Sequence, residues 1–377
     1  MSKDKKKVAI FAVSLRGGGA ERIISYLINE GCKQYEFHLI LLHLDIEYKL
    51  PDTDDLKILE LDGASESKYL GVIKIPLLAG KLKSYLVDNK IWTLLSFLSR
   101  PNLIACYAKQ AGWQGKLIIS ERADTIAYYR SIRFGAVMIH LIKHFYRYAN
   151  KITVISKGIA RSLEGMGLQK CIVIYNPICV TNLDTNKTPD NSNFTFISIA
   201  RLEPQKNHVL LIKAFSELKN ENCNLVIVGK GFLLEQLKSL SVRLNIADKV
   251  YFAGFQLDVA SWLKNSNCFV FSSDYEGFGN VILEAFNAGV PVISTDCPYG
   301  PREILAPDTD FDTLIQGYIE DAPYGILTPV ASVIHLAEAM RLMKADNDLR
   351  NRYIERARAR VADFDIKKIA PQYFELF

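Results

Sequence analysis

The chain has 377 residues, 49% hydrophobic and 23% charged, which fits an ordinary soluble globular protein with two cores. Its seven cysteines form no CxxC pair, which sets aside a disulfide framework or a zinc cluster in favour of a reduced, cytoplasmic protein. The net charge of +5 is uneven: residues 1–175 carry 26 Lys/Arg against 16 Asp/Glu, and residues 176–377 carry 20 against 25.

The basic half favours an anionic partner, although a solvated basic surface would read the same way. The opening MSKDKKKVAIFAVSLRGGGAER has basic residues before an apolar run, as a signal peptide does. The run stops at Leu15, Arg16 and three glycines follow, and no small-residue cleavage site is present, so it reads as a first core strand. No apolar stretch reaches the ~18 residues of a membrane span.

Further strand-like runs follow at 37–44, 56–61, 92–98, 116–120, 151–156 and 171–176, and again at 194–200, 224–229, 250–255, 268–273 and 291–296. They are continuously apolar, as strands buried on both faces of a parallel sheet are. Amphipathic helical segments lie between them, at 21–30, 208–219 and 233–244 among others. The polar stretch 181–193 is the best linker. The economical architecture is α/β: two facing Rossmann-like, doubly wound parallel-sheet domains, 1–180 and 190–360, with a cleft at the carboxyl ends of the strands.

The loops at those ends carry the candidate chemistry. After the first strand, Gly17, Gly18 and Gly19 lead into a helix, a turn suited to close approach by a phosphate or simply to packing helix on strand. The dinucleotide pattern GxGxxG is absent, since positions 17, 18, 19 and 22 read Gly, Gly, Gly and Arg. After the strand at 194–200, Arg201 and Lys206 are two cations that could converge on a diphosphate, or pair with Glu203 at the surface. Pro204 suits a helix start there. Gly229 and Gly231 frame a further turn, and Asn176-Pro177 closes the first set of strands. In FSSDYEGFGNVILEA, Glu276 falls on a loop with Gly277, Phe278 and Gly279, a helix starts near Asn280 as its cap, and Glu284 falls in its second turn. Two carboxylates so placed suit the hydroxyls of ribose and hexose, with cations on the diphosphate between. Gly300 and Glu303 mark another turn beside the same pocket. Asp52-Thr53-Asp54 and Asp308-Thr309-Asp310 resemble metal-binding DxD motifs but lie in Pro-flanked runs typical of turns.

At these residues the sequence resembles retaining glycosyltransferases of family 4, which have the GT-B fold. The resemblance rests on Glu276 and Glu284 within EGFGNVILEA, Arg201 and Lys206 within ARLEPQKN, the GGAER turn at 18–22 and the turn from Gly300 to Glu303. It implies that Glu284 holds the ribose, Glu276 the donor sugar, Arg201 and Lys206 the leaving diphosphate, and the Gly18 and Gly19 amides a phosphate. It implies front-face displacement with retention, no cofactor and no required metal. The stretches SFLSRPNLIACYAK and ARLEPQKNHVLLIKAF are most similar to bacterial enzymes that add N-acetylgalactosamine to polyprenyl-diphosphate-linked oligosaccharides. The expected partners are therefore a UDP-sugar, a lipid-linked saccharide and an anionic membrane surface at the cytoplasmic face, and no nucleic acid. Where many relatives carry a histidine after the fifth strand, this chain has Ser120-Glu121-Arg122-Ala123-Asp124, so Glu121, Arg122 and Asp124 are candidate contacts of the acceptor or the donor sugar, and the histidine's role is not carried onto them. Residues 130–151 mix Arg130, Arg133, Lys143, Arg147 and Lys151 with apolar residues, as an interfacial helix would, or a helix packed with a basic outer face. Residues 361–377 would return to the first domain. An epimerase on the same fold, a nicotinamide oxidoreductase and a non-catalytic sugar-binding scaffold are the alternatives. UDP release on adding a lipid-linked acceptor separates them.

Overall fold

The first seven apolar runs become strands β1 (Lys6–Ala12), β2 (Tyr35–Leu41), β3 (Leu56–Glu60), β4 (Thr93–Phe97), β5 (Lys116–Glu121), β6 (Lys151–Val154) and β7 (Cys171–Val173). They form one sheet in the order β3-β2-β1-β4-β5-β6-β7, every pair parallel. Helices on both faces bury Val8, Ile10, Leu39, Leu95 and Ile118 completely, which is why these strands show no polar alternation. The edge strand β3 does have exposed positions. The structure is a computed structural model that describes residues 5–63, 74–130, 135–181 and 193–377.

The second set comprises β8 (Phe194–Ile199), β9 (Cys223–Val228), β10 (Val250–Gly254), β11 (Cys268–Phe271), β12 (Val292–Thr295), β13 (Glu320–Ala322) and β14 (Gly325–Thr328). Their order is β10-β9-β8-β11-β12-β14-β13. All neighbours are parallel except β13 and β14, which pair antiparallel at the edge. Sequence reasoning missed these last two. They are three and four residues long, joined by Pro323-Tyr324, too short to stand out as apolar runs.

The chain divides into two compact units. Unit 1 is Met1–Pro177 with Ile366–Phe377, and unit 2 is Ile178–Asp365. Almost all of the expected linker, residues 182–192, lies outside the described residues. The last helix, Ile366–Phe374, belongs to the core of unit 1, where Ile369 and Tyr373 are buried with Phe37 and Phe97. Phe377 meets Tyr35 edge-on at 5.3 Å.

Strand order reverses between β1 and β4 in unit 1 and between β8 and β11 in unit 2. In doubly wound sheets, ligands bind outside the carboxyl ends at that reversal. The loops after β8 and β11 carry Arg201, Lys206 and Glu276.

Candidate functional site

In unit 2 the loops after β8, β11 and β12 are laced together by hydrogen bonds. Asp274 N donates to Gln205 O at 2.9 Å, and Gln205 Nε2 to Tyr275 O at 2.8 Å. Ser272 Oγ donates to Lys206 O at 2.9 Å, and Glu276 N to Pro298 O at 3.2 Å. Lys206 itself ends a single 3-10 turn, Pro204–Lys206, before the helix His208–Ser216. Between them Asn207 adopts φ +42° and caps that helix by accepting from Leu210 N at 3.0 Å, while its amide reaches Asp274 at 2.7 Å. Local turn chemistry therefore aims Lys206 at the loop after β11.

There its ammonium pairs with Glu276 Oε1, which also accepts from Ser273 Oγ at 2.6 Å. Glu276 is 8% exposed. Both of these contacts fall on Oε1. Arg201 is placed otherwise. Its side chain is 67% exposed and bridges to Glu203 at 3.1 Å. The two cations therefore do not share a partner: one is held in the loop framework and the other lies at the surface.

The glycines of this region let backbones touch. A Cβ on Gly300, where φ is +97°, would collide with the Phe278 main chain, and one on Gly229 with that of Ala200. The Phe278 main chain thus packs against the turn that begins the helix Pro301–Leu305. The cap of the helix Asn280–Asn287 is Gly279, at φ +99°, and Asn280 is its first helical residue rather than its cap. A left-handed residue is needed there, and glycine adopts that region without strain. Glu284 is half-buried in the second turn, and Glu303 is buried, with its carbonyl accepting from Arg360 at 2.8 Å.

Two features of unit 2 were missed in the sequence. Arg302, 6% exposed, is held by Asp296 at 2.7 Å and Glu320 at 2.8 Å, which ties β12 to the antiparallel edge. Its position six residues after a strand-end aspartate was the available signal. His208 is 1% exposed with neither ring nitrogen hydrogen-bonded, and burial pushes its pKa down to about 4.

In unit 1 the glycine turn is already engaged. Gly17 N donates to Glu47 Oε2 at 2.8 Å and Gly18 N to Tyr48 Oη at 3.2 Å, with Gly18 O accepting from the same hydroxyl at 2.8 Å. Gly19 opens the helix Gly19–Gly31 and is exposed. Glu121, 1% exposed, accepts from Asn102 at 3.0 Å and from Thr125 and Tyr146, and burial raises its pKa. Arg122 donates to Tyr373 at 2.8 Å and to Asn176, and lies over the Phe97 ring. The structure thus turns both charged groups inward, where they join β4, β5, the end of β7 and the last helix. Both are candidate sugar contacts by the sequence, and in this structure their hydrogen bonds are to partners within unit 1.

The basic stretch contains the helix Gly135–Phe145, of which only Gly135 and Ile142 are buried. Lys143 and Arg147 are exposed, and Arg133 lies outside the described residues. Among the described residues no group of His, Cys, Asp and Glu is placed to hold a metal ion. In the two DxD stretches the side chains make turns: Thr309 accepts from Arg302 at 3.0 Å, Asp310 accepts from Asp312 N at 3.1 Å, and Asp55 N donates to Thr53 at 3.3 Å. Among the described residues no helix is long and apolar enough to cross a membrane.

The profile of the family described as glycosyl transferases group 1 matches residues 181–360. Over 97% of both chains the sequence is 32% identical to a Campylobacter jejuni protein named N-acetylgalactosamine-N,N'-diacetylbacillosaminyl-diphospho-undecaprenol 4-alpha-N-acetylgalactosaminyltransferase. A second protein of that organism, an alpha-1,4-N-acetyl-D-galactosaminyltransferase named for a diphospho-undecaprenol-linked substrate, is 26% identical over 98% of both chains. Among solved structures, a sucrose-phosphate synthase from Thermosynechococcus elongatus is similar at TM-score 0.79 and 17% identity, covering 99% of this chain and 98% of its own. An Anabaena protein in complex with UDP and glucose is similar at TM-score 0.75 and 18% identity, over 98% of both. These structural likenesses show the GT-B fold, and the first relative shows the family.

Proposed function

The chain belongs to the glycosyl transferases group 1 family, and from that premise we propose a retaining enzyme that moves N-acetylgalactosamine from a UDP-sugar to a polyprenyl-diphosphate-linked saccharide. The acceptor chemistry is suggested by the names of the two Campylobacter relatives. The work would take place at the cytoplasmic membrane face, with the exposed residues of the helix Gly135–Phe145, Lys143 among them, lying against anionic lipid.

One observation carries the reading: a cation and a carboxylate, Lys206 and Glu276, meet at the carboxyl ends of β8 and β11, where strand order reverses. The ammonium would neutralise the diphosphate as the bond to the anomeric carbon breaks, with the exposed Arg201 guanidinium closing on the same charge. Glu276 Oε2 would accept from a hydroxyl of the transferred sugar, and Glu284 from the ribose. In this scheme the acceptor oxygen bonds to the anomeric carbon on the face that the diphosphate leaves. The acceptor proton passes to the departing phosphate oxygen. The chain then supplies position and charge, without a covalent intermediate and without a metal.

Thermal stability of the full chain with UDP-, GDP- and ADP-sugars tests the donor site, because binding to the native state raises the melting temperature by mass action. The expected result is stabilisation by UDP and UDP-N-acetylhexosamines alone, lost in Arg201→Ala. UDP release with a lipid-linked acceptor then separates a transferase from an epimerase. Stabilisation by none of these nucleotides, in a folded sample, would overturn the reading.

A further inference from the structure

Strand β11 ends at Phe271, and two serines follow it. Both are buried, Ser272 at 2% and Ser273 at 1% exposure, yet they reach different loops. The Ser272 hydroxyl donates to the main-chain carbonyl of Lys206 at 2.9 Å. The Ser273 hydroxyl donates to Glu276 Oε1 at 2.6 Å. One serine therefore holds each member of the Lys206–Glu276 pair. Ser273 is fixed in turn from β12, where the wholly buried Thr295 donates its hydroxyl to the Ser273 carbonyl at 2.6 Å.

The two donors on Glu276 Oε1 differ in freedom. The Lys206 ammonium lies 5.8 Å from the centre of the Phe271 ring, and its side chain keeps 15% of its exposure. It ends a flexible four-carbon stem, so it can swing towards an anion. The Ser273 hydroxyl is one bond from its Cβ and enclosed, so it has no such reach. An anion arriving beside this pair would draw the ammonium to itself. Glu276 would then be a buried carboxylate that shares its cation, an unfavourable state unless another donor stays on it. Ser273 is that donor, through a hydrogen bond strengthened by the charge of its acceptor.

We infer that Ser273 is a positioning residue, which keeps Glu276 satisfied and aligned towards the transferred sugar while Lys206 turns to the diphosphate, and that Ser272 sets the main chain from which Lys206 reaches. The inference rests on the donor site proposed above. It divides that site between two adjacent hydroxyls, one serving the sugar and the other the diphosphate.

The first test is the affinity of the full-length chain for UDP and for UDP-N-acetylgalactosamine by calorimetry, in wild type, Ser272→Ala and Ser273→Ala. Ser273→Ala should weaken the sugar nucleotide at least fivefold more than it weakens UDP. Ser272→Ala should weaken both by the same factor, because both carry the diphosphate. Equal losses of the two ligands in Ser273→Ala would overturn the positioning role. If Ser273→Ala fails to fold, Ser273→Cys replaces it, since a thiol keeps the volume and donates only weakly. The second test needs no nucleotide. Lys206→Met should lower the denaturation midpoint further in a Ser273→Ala chain than in the wild type, because the carboxylate then loses both holders. Additive losses would overturn the inference. Non-additive melts in a protein that binds neither nucleotide would keep Ser273 as the second holder of Glu276 and overturn the donor reading. Nucleotide binding with additive melts would do the opposite.

Discussion

Glu121 and Arg122 at the end of β5 are about as buried as Glu276 after β11, at 1%, 8% and 8% exposure, yet their surroundings differ in kind. Those in unit 1 make their hydrogen bonds with neutral groups, Asn102, Thr125 and Tyr146 on the acid and Tyr373 and Asn176 on the base, with the Glu21 and Glu121 carboxylates acting on Arg122 only through their charge. Glu276 is held by an opposite charge, Lys206, whose side chain keeps 15% of its exposure. A charge satisfied by neutral hydrogen bonds is fixed in place. A charge satisfied by a counter-ion can share that counter-ion with an incoming anion. Burial alone therefore does not separate Glu121 from Glu276, and the identity of the partner does.

The most severe test of this contrast is removal of one partner from each group. Lys206→Ala leaves Glu276 buried without its cation and should cost about 3–5 kcal/mol in unit 2, by denaturant melts. Arg201→Ala breaks only an exposed bridge and should cost less than about 1 kcal/mol, while abolishing the UDP-induced thermal shift. If the two variants unfold alike, the distinction between a framework cation and a surface cation fails.

Arg122→Ala should be comparably harmful in unit 1, at roughly 3 kcal/mol, because it leaves Tyr373 and Asn176 without their donor. Fluorescence of the buried Trp113, in a Trp262→Phe background, would follow unit 1 by itself. Donor binding should survive wherever the variant remains folded. Loss of UDP stabilisation in a folded Arg122→Ala would give this residue a binding role.

Acidity should move the two units in opposite directions. His208 has its pKa lowered to about 4 from 6.5, so the folded state favours the neutral ring. Its contribution is present above pH 6.5 and is lost as pH falls towards about 4, a change of roughly 3 kcal/mol. Glu121 has its pKa raised, so its contribution is present in acid and is lost as pH rises above 4.5 through the folded value. Melts of His208→Leu should flatten the acid limb, and Glu121→Gln should flatten the limb on the other side. The same slope in wild type and His208→Leu would exclude the buried ring as its source.

The smallest effect should come from metal removal. Asp310→Ala and chelation by EDTA should each leave transfer within twofold of the untreated enzyme, since the Asp310 side chain closes a turn on Asp312 and Thr313. A large loss with EDTA, restored by a divalent cation, would contradict the metal-free scheme.

Much of the fold was legible because burial on both faces writes long apolar runs into β1, β2, β8 and β9. The antiparallel edge was not, because Glu320–Ala322 takes its place from Arg302 and from pairing with β14 rather than from its own composition. In the site, Lys206 and Glu276 could each be picked out as loop residues after a strand. Their pairing could not, because it joins positions 70 apart and depends on how Asn207 turns the chain. The inward turn of Glu121 was equally hidden: its three partners lie on other elements.

Ile178 and Asp365, the first and last residues of unit 2, form a parallel bridge, and Ile178 N donates to Phe364 O at 2.8 Å. Unit 2 is thus a closed insertion whose entry and exit lie side by side, while unit 1 is a discontinuous domain completed only when the final helix has been made. A gene fragment for 178–365 should yield a folded module, and one for 1–177 should not, since it lacks Tyr373 beneath Arg122. During synthesis the first half must wait with an open core until Ile366–Phe377 has been made. A truncation that removes those residues would therefore damage a unit that begins more than three hundred residues earlier.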